Sequence, residues 1–234
     1  MIHELDKFIF SITSKQDGQM KLYGDGRDEA ALINRKKFFE KIGLDAEKSI
    51  AANLVHGTNV VKVGLEDAGL LISDADALIT NSPDVILTVT VADCVPIFFF
   101  DPINKAVGIA HAGWRGVVGN IATNVIKAMS ENFGTKPVDL AVSVGPHIQK
   151  CHFEVQNDVA SEFVQYPESV VKKDGKMFVG LQSAIKHQLT SIGVKSENVH
   201  ESDDCTYCLP DKYFSYRRDK PELLLAMMAY IGIK

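Results

Sequence analysis

The apolar positions of this chain fall into short β-branched runs divided by turn residues, interleaved with stretches where apolar side chains recur every three or four positions. Leu5 to Thr13 reads as an opening strand, Asp28 to Ile42 as a helix closed by Gly43, and Ser49 to Val55 as a second strand ending at His56. Gly64 to Gly69 is loop-like. From Asp76 the strands come quickly: Ala77 to Thr80, Val85 to Val91, Val95 to Phe100 and, after the Asp101-Pro102 turn, Ala106 to Ala110. Between Gly116 and Phe133, the positions of Val118, Ala122, Val125, Met129 and Phe133 make the stripe of an amphipathic helix, which Gly134 stops.

Pro137 permits another strand, Val138 to Val144. A helix with Val155, Val159 and Phe163 at i+4 steps follows, then a hairpin across Lys173-Asp174-Gly175 and a helix bearing Leu181, Ile185, Leu189 and Ile192. Strands near Asn198 to Glu201 and Leu223 to Tyr230 close the series. With no repeat, low-complexity tract or dividing linker, the pattern predicts a mixed α/β single domain over residues 1–234. Whether it holds one sheet or two is left open by pattern alone.

Composition narrows the partners. Of 234 residues, 46% are hydrophobic and 24% charged, enough to bury a sizeable core, and the formal charge of -5 lacks the positive field that binds nucleic acid. Small-molecule ligands remain. The opening Met1 to Lys7 has no basic segment leading into an apolar one, and the longest apolar run, Val95 to Phe100, is too short to span a bilayer. A cytoplasmic protein with no membrane partner is therefore expected, and its four cysteines are expected as thiols rather than a disulfide framework.

Three metal-type residues sit where predicted strands end: His56, Cys94 and His111. Neutral imidazole and thiolate both suit Zn²⁺, and three protein ligands leave the open position of a catalytic site. Taken one by one, each reads rather as a packed or hydrogen-bonded residue. Their surroundings add weight: Gly113, Gly116 and Gly119 flank Trp114 and Arg115, which places an aromatic face and a fixed cation before a helix N-terminus able to accept anions. Asp93, beside Cys94, reads as a general acid or base, as a group orienting a ligand, or as an ordinary turn residue. His147 reads as a solvated loop histidine, with metal ligation or proton donation as alternatives. Cys205 and Cys208 form a lone C-x-x-C that reads as a second metal site, a disulfide-exchange pair or simple packing, with packing preferred to metal because no partner pair lies nearby in sequence.

Several of these words, in this order, resemble the laccase-domain, or multi-copper polyphenol oxidase, family, also described as purine nucleoside phosphorylase-like and peptidoglycan editing factor-like. They are Val55-His56-Gly57-Thr58, Ala75-Asp76-Ala77-Leu78-Ile79-Thr80, Ala92-Asp93-Cys94-Val95-Pro96, His111-Ala112-Gly113-Trp114-Arg115-Gly116, Gly145-Pro146, Phe153-Glu154-Val155, and Cys205-Thr206-Tyr207-Cys208 running on to Phe214-Ser215-Tyr216-Arg217-Arg218-Asp219. The resemblance implies sheets packed between helices, layered α/β/β/α, and zinc held by His56, Cys94 and His111. It also implies phosphorolysis of adenosine, inosine, guanosine and methylthioadenosine, with adenosine deamination as a second activity. On that reading Asp93, Arg115 and Cys94 are catalytic, and Trp114, Asn34, Arg35, Arg217 and Arg218 bind substrate, in a monomer or homodimer whose partners are a purine nucleoside and phosphate.

The chain departs from the family pattern in three places. Lys220-Pro221-Glu222-Leu223 replaces a Thr-Gly-Arg-like segment, Gly145-Pro146-His147-Ile148 replaces Gly-Pro-Cys-Ile, and Lys21-Leu22-Tyr23 replaces a Ser-Leu-Asn-like segment. Rival readings are a copper polyphenol oxidase, a Cys94–His111 hydrolase editing muropeptide precursors, and a metal-stabilised binding protein. His₂Cys ligation also occurs in copper sites, but coupled copper clusters need many histidines, and the chain has seven with no H-x-H pair.

Overall fold

The computed structural model describes residues 7–22 and 28–234, and two of its sheets pack face to face. The strands begin with β1 (Phe8–Ile12), β2 (Ser49–Ala52), β3 (Val60–Lys62), β4 (Leu71–Ile72) and β5 (Ala77–Thr80). Next come β6 (Ile86–Val91), β7 (Val95–Asp101), β8 (Ala106–Ala112), β9 (Ala141–Val144) and β10 (Glu154–Val155). The hairpin β11 (Val170–Lys173) and β12 (Lys176–Val179), then β13 (Val199–Glu201) and β14 (Met227–Ile233), complete the set. The α-helices among the described residues are α1 (Glu29–Lys41), α2 (Trp114–Val118), α3 (Ile121–Phe133), α4 (Asn157–Glu162), α5 (Leu181–Ser191) and α6 (Tyr216–Asp219).

One sheet has the order β1-β14-β6-β2-β4 and the other β13-β9-β7-β8-β5-β3, both mixing parallel and antiparallel pairs; β10-β12-β11 form a small third sheet. Every residue of β7 is buried, because the period-two alternation serves two cores. Phe98 and Phe100 enter the layer between the large sheets with Leu78, Leu87, Val89 and Ile231. Ile97 and Phe99 point the other way, into a core shared with Val125, Met129, Ile185 and Leu189 of α3 and α5. On the far side, Phe39 of α1 packs with Met20, Ile86, Met228 and Tyr230. The layers therefore run α/β/β/α, as the resemblance implied. At Gly108 in β8 a side chain would meet Val125 at 3.1 Å, so α3 can lie this close only over a residue without one. Among the described residues no helix is long and apolar enough to cross a membrane.

The structure corrects several boundaries. Of the expected opening strand, Leu5 and Asp6 lie outside the described residues, as does Tyr23. The second strand stops at Ala52 rather than Val55, because the chain then turns so that Asp76 can accept the His56 and Gly57 amides. The helix expected from Gly116 to Phe133 is two helices, broken at Gly119-Asn120, where Asn120 takes a left-handed φ of 62°. Tertiary hydrogen bonds hold that break: Gln188 donates to the Val117 carbonyl at 2.7 Å and Tyr166 to the Asn120 side chain at 2.8 Å. Val155 belongs to β10, paired with Met177, so its i+4 spacing to Val159 is not helical; α4 covers only Asn157–Glu162. Pro137–Asp139 is a 3₁₀ turn before a strand that starts at Ala141, and the last strand is shifted to Met227–Ile233, gripped by β1 and β6.

His147 is not a solvated loop residue. Its side chain is fully buried, with Nδ1 at 2.8 Å from the Gly145 carbonyl and Nε2 without a hydrogen-bond partner among the described residues. Burial, only partly countered by that carbonyl, pushes its pKa down from 6.5 to about 4. The unfolded chain then binds the proton more readily than the folded one, so folding stability should fall by about 3 kcal/mol as pH drops from 6.5 through 4. Denaturant midpoints measured across that window should show the loss, and His147→Phe should flatten it.

Candidate active site

Asp76 is where the site begins. It precedes β5 and is wholly buried, and its carboxylate accepts the backbone amides of His56 at 2.9 Å and Gly57 at 2.6 Å while lying 3.1 Å from His111 Nδ1. One carboxylate thus fixes both the loop that carries His56 and the ring of His111, a β8 residue. Occupying Nδ1 leaves His111 Nε2 for a metal, the usual carboxylate–histidine arrangement behind zinc. Burial opposes the charge on Asp76, but the hydrogen bonds from His111, Gly57 and His56 more than offset it and hold its carboxyl below the usual range.

Cys94 arrives from the turn between β6 and β7, where Asp93 adopts a φ of 84°. His56, Cys94 and His111 each offer one ligand atom, all within 4.8 Å of one another, and the two imidazole rings stand nearly perpendicular with centroids 4.8 Å apart. Gly113 keeps the approach open: a side chain there would come 3.3 Å from Cys94 Sγ and 3.4 Å from His56. This donor set fits a zinc ion with one open coordination position.

The three ligands also tune one another. Burial alone would push the Cys94 thiol up and the His111 imidazolium down, yet each favours the charge of the other. His111, with help from His56, brings Cys94 down to about 6, and Cys94 with Asp76 raises His111 to about 9. Without metal the pair is therefore thiolate and imidazolium at pH 7, and a metal must displace the His111 proton. Zinc loading at pH 7 should release about one proton per site, and affinity should rise about tenfold per pH unit between 6 and 9 and then level off. Calorimetric titration in buffers of different ionisation enthalpy would measure it.

A pocket of about 90 Å³ opens beside the ligands, lined among others by Asp93, Trp114, Arg115 and Phe153. Across Trp114 and Phe153 it adjoins a cavity of about 400 Å³ with Glu154, Asp158 and Arg217 in its walls. The smaller space is too tight for a drug-sized molecule, whereas the larger falls in the range of small-molecule sites. Arg115 stacks over Trp114 at 4.3 Å and, among the described residues, has no carboxylate partner. The glycines around it allow close approach. Gly116 and Gly119 let α2 press against Gly57 and Thr58, where a side chain would meet neighbours at 3.1 and 2.6 Å. Since α2 has five residues and α3 starts only at Ile121, the positive charge here is that of Arg115 rather than of a long helix terminus.

Asp93 lines the pocket beside the ligands, but both its carboxylate oxygens are engaged. Thr206 Oγ1 donates to one at 2.6 Å; Ser215 Oγ at 3.0 Å and the Arg217 amide at 2.7 Å donate to the other. Arg217 reaches the cavity wall, where its guanidinium donates to the Glu154 carbonyl at 2.6 Å and lies 5.4 Å over the Phe153 ring. Arg218 turns away: it donates to the carbonyls of Thr206, Tyr207 and Tyr213 and pairs with Asp219. Asn34 and Arg35 are not brought to this site. Asn34 donates to the Gln19 carbonyl, and the buried Arg35 donates to the Met20 carbonyl and Thr88 on the outer face of the other sheet. Asp76 and Phe153 are not marked out by the sequence, because an Asp before a strand is an ordinary turn residue and a Phe an ordinary core residue.

The sequence profile of the family described as multi-copper polyphenol oxidoreductase laccase matches residues 18–234. The chain belongs to this family. Among its relatives, the purine nucleoside phosphorylase YlmD of Geobacillus stearothermophilus is 32% identical, over 96% of this chain and 89% of its own. A purine nucleoside phosphorylase of Bacteroides thetaiotaomicron is also 32% identical, over 82% and 76%. Solved structures agree on the fold. The Bacillus licheniformis hypothetical protein YfiH superposes with a TM-score of 0.92 at 27% identity, covering all of this chain and 96% of that one. YlmD from G. stearothermophilus does so with 0.92 at 28% identity, covering 99% and 93%.

Proposed function

We propose that this laccase-domain protein is a zinc-dependent purine nucleoside phosphorylase whose metal is held by His56, Cys94 and His111. The observation that carries the reading is the convergence of those three ligand atoms beside a cavity that offers aromatic faces and an arginine with no carboxylate partner among the described residues. The names of the relatives, purine nucleoside phosphorylases at 32% identity, supply the substrate class. When bound, a zinc ion at this donor set would supply Lewis-acid polarisation at its open position.

In phosphorolysis a phosphate oxygen bonds to ribose C1′ as the C1′–N9 bond breaks, and the electron pair leaves with the purine, which takes up a proton. Arg115, stacked on Trp114 and without a carboxylate partner among the described residues, is placed to hold the phosphate. Trp114 and Phe153 present flat faces to the base, and Arg217 closes the wall beside them. Asp93, with both oxygens already accepting, is suited to positioning Arg217 and the Thr206 segment rather than to moving a proton. Asn34, Arg35 and Arg218 have no part in this arrangement. Adenosine deamination is proposed as a second activity of the same site.

Incubation with adenosine and phosphate should yield adenine and ribose-1-phosphate, with inosine as the mark of deamination. Arg115→Ala should raise the KM for phosphate by about tenfold or more, the loss of one charge-assisted contact. A protein that forms neither product when zinc-loaded would end the proposal. One observation favours a second reading: the metal-free thiolate–imidazolium pair of Cys94 and His111 is also that of a cysteine nucleophile. Such a hydrolase would survive a chelator and be killed by alkylation, whereas the zinc enzyme loses activity to both.

A further inference from the structure

A second group of metal-type side chains lies outside this site. Cys151 and His152 come from the loop between β9 and β10, and Cys205 and Cys208 from the loop after β13; the four ligand atoms lie within 4.8 Å of one another. The pairing that the lone C-x-x-C lacked in sequence is thus supplied by the fold. Cys205 is buried as expected, but Cys208 and Cys151 are exposed, so packing does not account for the group.

The separations are those of co-ligands. Cys151 Sγ is 3.6 Å from Cys205 Sγ and 3.7 Å from Cys208 Sγ, and His152 Nδ1 is 3.3 Å from Cys151 Sγ and 3.2 Å from Cys208 Sγ. A tetrahedral zinc with bonds of about 2.3 Å to sulfur and about 2.0 Å to nitrogen sets its sulfurs about 3.8 Å apart and sulfur from nitrogen about 3.5 Å, close to these values. Backbone geometry supports the same reading. The Cys208 and Leu209 amides donate to the Cys205 carbonyl, closing the turn between the two cysteines. The Gln149 amide points at Cys205 Sγ at 3.4 Å, the kind of donor that sulfur ligands take from their surroundings, and the His152 ring is stacked on Tyr207 with centroids 4.1 Å apart.

We propose that Cys151, His152, Cys205 and Cys208 bind a second zinc ion, four-coordinate and structural, distinct from the one assigned to His56, Cys94 and His111. Four protein ligands leave no open position, so this ion takes no substrate. Its effect is to join two loops 54 residues apart. Both loops wall the active site: Phe153 and Glu154 follow His152 directly and line the cavity, and Thr206 follows Cys205 and holds Asp93. The second ion braces that wall without touching the chemistry, and the inference stands whatever the site next door catalyses.

Zinc measured on protein purified without chelator decides it. Wild type should carry two ions per chain, Cys94→Ser one, and Cys208→Ser one. As a check that does not depend on how a variant folds, metal-free reduced wild type titrated with Co²⁺ should show the thiolate charge-transfer absorption of four cysteine ligands rather than one. Wild type with a single zinc that Cys94→Ser abolishes would overturn the proposal. So would cobalt absorption from one thiolate only, or an intact mass showing that two of Cys151, Cys205 and Cys208 form a disulfide in place of metal. A zinc content of one in both wild type and Cys94→Ser would instead keep the second site and end the first.

Discussion

Cys94→Ser should leave a folded protein that phosphorolyses adenosine at least about 10³-fold more slowly than wild type, a loss of about 4 kcal/mol in the barrier. Serine is close in size, and Cys94 is only half-buried at a turn, so little packing is at stake. What goes is the thiolate. The hydroxyl of serine stays protonated at neutral pH and is a poor zinc ligand, and His111 loses the negative neighbour that raises its pKa to about 9. Steady-state kinetics with zinc in the assay, circular dichroism for the fold and the metal content of the purified variant would together measure the effect. Full activity in a zinc-free Cys94→Ser protein would remove the metal from the mechanism.

The second large effect is expected at a residue that touches neither metal nor substrate. Asp76→Asn keeps the shape but replaces an acceptor with an amide N–H₂ that faces either the Gly57 N–H, only 2.6 Å from the present carboxylate, or the His56 N–H together with the His111 ring. One backbone donor facing the buried side chain loses its acceptor, at a cost of about 1 kcal/mol in stability. The other consequence is on the ligand: without a carboxylate at Nδ1, the His111 ring is no longer held with Nε2 toward the cluster, and zinc affinity should fall about 10–100-fold. Competition with a chromophoric chelator would measure the affinity and thermal melts the stability. A melting point that falls while zinc affinity stays unchanged would make Asp76 a folding residue only.

The two experiments bear on different links. Cys94 acts through its own coordination, whereas Asp76 acts through the geometry of two other residues, so excess zinc should restore much of the Asp76→Asn activity and little of the Cys94→Ser activity. The same logic separates Arg217 from Arg218. Both are adjacent arginines in one short helix, but Arg217 lines the cavity and Arg218 ties three carbonyls together.

Much of this protein was legible in one dimension, for a physical reason. Strand and helix periodicity is local, so the β6, β7 and β8 runs, the α3 stripe and the hairpin at Asp174 could be read directly, and His56, Cys94 and His111 stood out as metal-type residues at the ends of predicted strands. What tertiary structure alone decided is what depends on distance between residues remote in sequence. It split the helix at Asn120, because Gln188 and Tyr166 arrive from elsewhere to hold the break. It buried His147, bound up Arg218 and carried Asn34 and Arg35 to another face. It also set Cys151 and His152 against Cys205 and Cys208 across 54 residues of chain, a meeting that no local pattern can encode because the sheet, not the sequence spacing, sets which loops are neighbours.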